Sequence, residues 1–350
     1  MRDPFLAEIA SQPDALGAAA AAVRGQRETL LELRRLAADA GPLVLTGMGS
    51  SYDACLGAAS ALGARDVLAV TVNSAELVRF RLGAVPAEAV IVAVSQSGRS
   101  AELVRLAQAL SERRLRPRLV SVTNGLRNPL AEAADVALDM GSGREHGPST
   151  RTFAATLVVL DAVVRALDPR RPEVLAPPAA VERAVEASAQ LLRDPEAAAA
   201  ELGRWHDGSR ALVALGRGTA RAAAEVSALV IKESAAALAE ALDCADFRHG
   251  PLEVAGPALA CLVLVTEPSA LELDCGLAAE LASAGASVRL VAPERVRLPG
   301  VECVVTGRLE PLLAAAVCAH PAQLLAWQLA VDSGRQPGHL LRASKVTTRE

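Results

Sequence analysis

Short, almost uninterrupted apolar runs alternate along this chain with longer stretches whose apolar positions recur at helical spacing. The first half reads as strands at 42–47 (PLVLTG), 66–72 (DVLAVTV), 89–95 (AVIVAVS), 118–123 (RLVSVT) and 134–140 (ADVALDM). Helices fill 50–63, 74–82, 100–114 and 149–167. Strands without polar alternation, separated by helices, predict a parallel sheet covered on both faces. Four prolines in DPRRPEVLAPP (168–178) then break the pattern and mark a linker. Beyond it the order resumes with strand 211–216, helix 218–238, strand 258–266, helix 269–284, strands 286–293 and 301–306, and helix 310–330.

The halves share a motif. LVLTGMGSSYDA from Leu43 and LVALGRGTARAA from Leu212 each comprise a strand, Gly-x-Gly, a hydroxyl residue and a helix, and each follows an Ala-rich helical segment. Two similar α/β units are therefore predicted, with residues 1–170 in the first, a linker at 171–178, residues 179–334 in the second and a tail at 335–350.

Composition narrows the picture. The 350 residues are 51% hydrophobic and 22% charged, enough for packed cores. A net charge of -4 with dispersed arginines argues against nucleic acid as a partner. The six cysteines (Cys55, Cys244, Cys261, Cys275, Cys303, Cys318) form no CxxC pair, and no export signal is visible, so free thiols in a cytoplasmic protein are expected. No uninterrupted apolar run reaches the roughly 18 residues of a membrane span, so no contact with a membrane is expected. Only two lysines, Lys232 and Lys345, stand among 34 arginines. In so arginine-biased a chain, a surviving lysine is a candidate for a role that needs lysine.

Ligands of open parallel sheets bind beyond the carboxyl ends of the strands. Three turns of the first half fall there: Gly47-Met48-Gly49-Ser50-Ser51, Ser95-Gln96-Ser97-Gly98-Arg99-Ser100, and the segment containing Ser149-Thr150. Hydroxyls beside free backbone N–H groups suit a phosphate-like anion. Each turn alone would read as a helix N-cap; three on one sheet favour a ligand. A dinucleotide reading of Gly47-Met48-Gly49 needs glycine at position 52, which is Tyr52, and an acidic end to the second strand, which is absent.

GMGSSYDA (47–54), SQSGRSAEL (95–103) and STRTF (149–153) resemble the sugar isomerase (SIS) domain family. Essentially the whole chain resembles the isomerase half of glucosamine-6-phosphate synthase and, more closely, its stand-alone deaminase relatives. The second half contributes GRGTARAAAEVSALVIKESAAALAEALDCADFRHGPLE, QLLAWQLA and SKVTTRE to that resemblance. The resemblance implies an α/β fold of two tandem SIS domains, each a doubly wound, flavodoxin-like five-stranded parallel sheet flanked by helices.

It also implies a site. Ser95, Gln96, Ser97 and Ser100, with Ser50 and Ser51, would hold the phosphate of a phosphosugar, and Ser149 would touch the sugar. Glu233 would move a proton between C1 and C2. His249 would open the ring, supplied by the neighbouring subunit of a homodimer. Lys345 and Ser344 would act from a tail covering the site. No cofactor or metal is implied. Such chemistry needs a base beside the C1/C2 carbons and an acid–base group at the ring oxygen, and imidazole titrates in the right range for the latter. The plainer readings are a surface carboxylate for Glu233, a turn histidine for His249, a solvated tail residue for Lys345 and a structural ion pair for Lys232.

Departures from the synthase pattern steer the expectation. No N-terminal glutaminase is expected, Val230 stands where the synthase has a further lysine, and Arg99 and Ser100 replace its Glu and Thr. The stretch between Glu145 and Ser149 is one residue shorter, which bears on His146 and Pro148. The expected activity is therefore deamination of glucosamine 6-phosphate to fructose 6-phosphate and ammonia. The alternatives are another 6-phosphosugar aldose–ketose isomerase or a phospho-Amadori deglycase and, outside catalysis, a sugar-phosphate sensor or an inactive paralogue.

Overall fold

The apolar runs of the first half pair into one parallel sheet in the computed structural model of the chain, which describes residues 3–39, 41–206, 209 and 211–349. Its strands are β1 (Leu43–Thr46), β2 (Ala69–Thr71), β3 (Val90–Ser95), β4 (Arg118–Thr123) and β5 (Val136–Asp139), ordered β2-β1-β3-β4-β5. All six residues of β3, the central strand, are buried, which is why its sequence shows no polar alternation. Val44, Leu77, Ile91, Leu103, Leu106, Leu119 and Leu130 close one core against this sheet.

The second sheet contains β6 (Ala211–Gly216), β7 (Ala239–Leu242), β8 (Leu259–Leu264), β9 (Ser287–Ala292) and β10 (Val301–Val305), ordered β10-β9-β8-β6-β7. Read from its other edge, it follows the same path as the first. Strand β7 is an addition to the elements read from sequence. Its segment, AEAL, has no β-branched residue and only half-buried or exposed positions, so locally it continues the helical pattern before it. The helix in fact ends at Ala235, because Ala236 turns left-handed (φ 52°) and donates its N–H to the Lys232 carbonyl.

Two predicted helices are also subdivided. The 74–82 segment is a short turn of α-helix, Ser74–Glu76, followed by a π-helical turn, Leu77–Arg81. The 310–330 segment is two helices, Pro311–Cys318 and His320–Asp332. Pro321 has no N–H to donate to the preceding turn, so the helix breaks there. The stretch Pro311–Asp332 is long and apolar enough to cross a membrane by length and composition, yet 83% of its most apolar window is buried inside this fold.

The chain divides into two compact units that do not follow sequence order. One gathers the first sheet, from the described residues of 14–144, 151–181 and 342–350. The other gathers the second sheet, from those of 1–13, 145–150 and 182–341. Within the second, helix Pro4–Ala10 starts at Asp3, whose carboxylate accepts from the N–H groups of Phe5 and Leu6, with Pro4 at the first helical position. Gln12 Nε2 donates to Gln323 Oε1 at 2.6 Å, and Ser188 Oγ lies 2.7 Å from His320 Nε2. Full burial pushes the His320 imidazole down to about 4, so it is neutral in the folded protein.

Candidate active site

In the first sheet β2 lies on one side of β1 and β3 on the other, so the winding direction reverses between β1 and β3. A crevice opens at such a reversal, outside the carboxyl ends of the strands. Two of the three hydroxyl-rich turns of the first half leave the sheet there, one after Thr46 and the other at Ser95; the third, with Ser149-Thr150, was expected on the same sheet but belongs to the second-sheet unit. The first needs its glycines. A Cβ on Gly47 would lie 2.9 Å from the Ser51 carbonyl carbon and the Tyr52 nitrogen, and Gly49 has φ 51°. Gly49 forms the cap of helix Ser50–Gly63, which places Ser50 and Ser51 inside its first turn rather than at a capping position.

The second turn is tied by its own hydroxyls. Ser95 Oγ accepts from Gly98 N at 3.1 Å and Ser97 Oγ accepts from Arg99 N at 3.1 Å. Gly98 has φ 61°, and a Cβ there would overlap Asn128, only 1.8 Å from its Oδ1. Ser100 occupies the N-cap of helix Ala101–Ser111, yet its hydroxyl makes no capping bond and stands 3.5 Å from Ser95 Oγ. The simple N-cap reading therefore fails at Ser100. A serine oxygen that accepts from the turn keeps its own proton to donate, and that suits an anion seated above it. The Gln96 carbonyl accepts from Asn124 N at 3.0 Å, while Arg99 turns its guanidinium to the Arg127 carbonyl at 2.9 Å.

The tail joins the same unit. The Thr347 carbonyl accepts from Ala101 N, the first residue of the helix behind this turn, at 3.0 Å. Ser344 Oγ donates to the Val346 carbonyl at 2.8 Å, and Lys345 is half-buried beside it. The first-sheet unit thus gathers Ser50, Ser51, Ser95, Gln96, Ser97, Ser100, Ser344 and Lys345.

The second-sheet unit holds Ser149, Glu233 and His249. Ser149 sits half-buried in the 145–150 loop, where Glu145 Oε1 accepts from Thr150 N at 2.9 Å and from Thr150 Oγ1 at 3.2 Å. Glu233 is half-buried in the last turn of helix Ala220–Ala235, next to the exposed Lys232 and the fully buried Ser234. His249 is exposed at the end of helix Cys244–Arg248, before Gly250 at φ 124°.

The corresponding reversal of the second sheet lies between β6 and β8, and there a carboxylate of the chain itself meets the start of the helix. Glu267 Oε1 accepts from Thr219 N at 3.0 Å and from Thr219 Oγ1 at 2.6 Å, at the start of helix Ala220–Ala235. Gly218 (φ 59°) lets the carboxylate approach, since a Cβ there would stand 3.1 Å from both carboxylate oxygens. Arg217, in the same turn, donates through Nε to the buried Asp274 at 2.7 Å. Sequence reading missed Glu267 and Asp274. An acid directly after the apolar β8 run was the available signal for Glu267.

The SIS domain model matches residues 37–166, which span β1 to β5 and all three hydroxyl-rich turns. Residues 37–166 are a SIS domain. The chain is also 31% identical, over 99% of its length, to glutamine–fructose-6-phosphate aminotransferase (isomerizing) of Aeropyrum pernix. It spans 57% of that relative. The fold matches the tagatose-6-phosphate ketose/aldose isomerase of Escherichia coli with a TM-score of 0.79 at 19% identity, covering 97% of each chain. It matches the glucosamine-6-phosphate deaminase of Thermotoga maritima with a TM-score of 0.71 at 18% identity, covering 98% and 99% of the two chains.

Proposed function

We propose that the chain is a sugar-phosphate isomerase whose substrate is an amino-sugar 6-phosphate, converting glucosamine 6-phosphate and water to fructose 6-phosphate and ammonia. The observation that carries this reading is the serine turn Ser95–Ser100 at the strand-order reversal of a SIS domain. In this reading Ser95, Gln96, Ser97 and Ser100, with Ser50 and Ser51, receive the phosphate, and Ser149 contacts the sugar. The second sheet, with its matching strand order, is read as a second SIS unit. His249 completes the site of a partner subunit and transfers the proton that opens the ring. Glu233 removes the C2 proton of the open-chain aldehyde and returns it to C1, leaving an iminium at C2. Water adds to that iminium and ammonia leaves. Lys345, carried by the tail that Thr347 anchors at Ala101, balances negative charge as the enolamine forms.

Ammonia and fructose 6-phosphate should appear together when the chain meets glucosamine 6-phosphate, and Glu233→Gln should lower that rate by roughly 10²- to 10⁴-fold. Ketose formation from neutral 6-phosphosugars without ammonia would move the assignment to a plain aldose–ketose isomerase. Absence of turnover with every 6-phosphosugar would sink both readings.

A further inference from the structure

Glu8, on helix Pro4–Ala10, is a carboxylate only 8% exposed and has no part in the chemistry proposed above. Its Oε1 accepts from His146 N at 2.7 Å and lies 3.2 Å from His146 Nδ1. Its Oε2 accepts from Gly147 N at 3.2 Å. Two oxygens on two consecutive amides fix the direction of that peptide as well as its place.

Gly147 is closely packed as well. A Cβ there would stand 3.2 Å from the Phe5 ring, 3.4 Å from Glu8 Oε2 and 3.5 Å from the Gly338 carbonyl oxygen. The far end of the loop is held by Glu145, 5% exposed, through Thr150. Between the two carboxylate clamps stand Pro148, with its fixed φ, and Ser149. Gly338 in turn donates its N–H to Ser234 Oγ at 3.1 Å, and Ser234 follows Glu233 directly. Glu8, Gly147, Gly338 and Ser234, the residue beside Glu233, thus belong to one compact unit.

We propose that Glu8 is a positioning residue that sets Ser149 relative to Glu233, and so orients the sugar for proton transfer. The inference rests on the roles given to Ser149 and Glu233 above. The requirement is for a double acceptor. Glutamine has the same shape but turns an N–H toward one of the two amides, so Glu8→Gln breaks half of the clamp without opening a cavity.

The test is a double-mutant cycle in the full chain with glucosamine 6-phosphate as substrate. Glu8→Gln and Ser149→Ala should each lower kcat/KM by roughly tenfold to a hundredfold. The double variant should be no worse than the more impaired single one, within about twofold. Competitive inhibition by inorganic phosphate should be unchanged throughout. Multiplicative losses, or a shifted phosphate inhibition constant, would show a merely structural role and overturn the proposal. Should Glu8→Gln fail to fold, Glu8→Asp keeps the charge but withdraws it by one methylene, and the same cycle applies. Should the unmodified chain turn over no 6-phosphosugar, the functional reading fails, and amide exchange decides the clamp separately. Faster exchange confined to 145–150 in Glu8→Gln supports it; unchanged exchange there, or acceleration across the whole unit, overturns it.

Discussion

Gly49 and Gly218 occupy the same step of the repeated strand–Gly-x-Gly–helix motif, with φ of 51° and 59°, at reversals of identical strand order. Beyond Gly49 the neighbouring strand exits into Ser95–Ser100, whose hydroxyls brace the turn and keep protons to donate. Beyond Gly218 the neighbouring strand exits into Glu267, whose carboxylate already occupies the start of the helix. Arg217 beside it is neutralised by Asp274. Helix N-termini favour negative charge, and the two turns answer that in opposite ways. Under the proposed function, one leaves the charge to be supplied by a ligand; the other carries it covalently. A shared backbone plan therefore does not imply a shared binding capacity, because the group opposite the helix decides it.

The largest effect is expected at the turn itself. Gly98→Ala forces a side chain into a left-handed position and onto Asn128, which caps Ala131 N at 2.9 Å. Strain plus loss of that cap should cost about 4 kcal/mol and abolish phosphosugar binding; denaturant unfolding and titration calorimetry report the two effects. An unchanged affinity would mean the ligand sits elsewhere.

Acid offers a second lever, on the other unit. His320 titrates at about 4 when folded and near 6.5 when unfolded. Above 6.5 both states are neutral and pH has no effect through this group. Between 6.5 and 4 only the unfolded chain takes up the proton, so stability falls as pH drops, by roughly 3 kcal/mol in all. Hydrogen exchange should locate the loss in the second-sheet unit, and His320→Gln should flatten the profile. A profile that stays equally steep in that variant would assign the loss to other groups.

Ser97→Ala removes one hydroxyl from the cradle and should weaken phosphosugar binding about tenfold, the scale of a single hydrogen bond to a charged group. The smallest effect is expected at Glu267. Glu267→Ala should lose about 1 kcal/mol of stability, and added sulfate should restore more of the melting temperature than it adds to the unmodified chain. Equal sulfate responses in the two proteins would remove the claim that Glu267 stands in for an anion.

Much of this was legible from residue order, for local reasons. Buried parallel strands are predominantly apolar, so β1, β3, β4, β6, β8 and β9 announced themselves despite single polar positions such as Ser121 and Arg289. The serine turns were legible because glycine and hydroxyl residues cluster where a strand hands over to a helix. Strand β7 was not, because AEAL carries no strand preference and forms only through its ladder with β6. The break before Pro321 was marked by its proline, but the alanine-rich pattern on both sides masked it.

By itself the sequence determined the alternation of strands and helices, the duplicated motif and the chemical character of the Ser95–Ser100 turn. Each depends on neighbours a few residues apart, and local preferences act at that range. Tertiary structure alone decided that Glu267 meets Thr219, that Glu8 clamps His146 and Gly147, and that Thr347 meets Ala101. These partners are far apart in the chain, and an exposed glutamate and a clamping glutamate look alike until folding removes the water around one of them. Burial then forces the carboxylate to find N–H donors, and that search is settled in space, not in sequence.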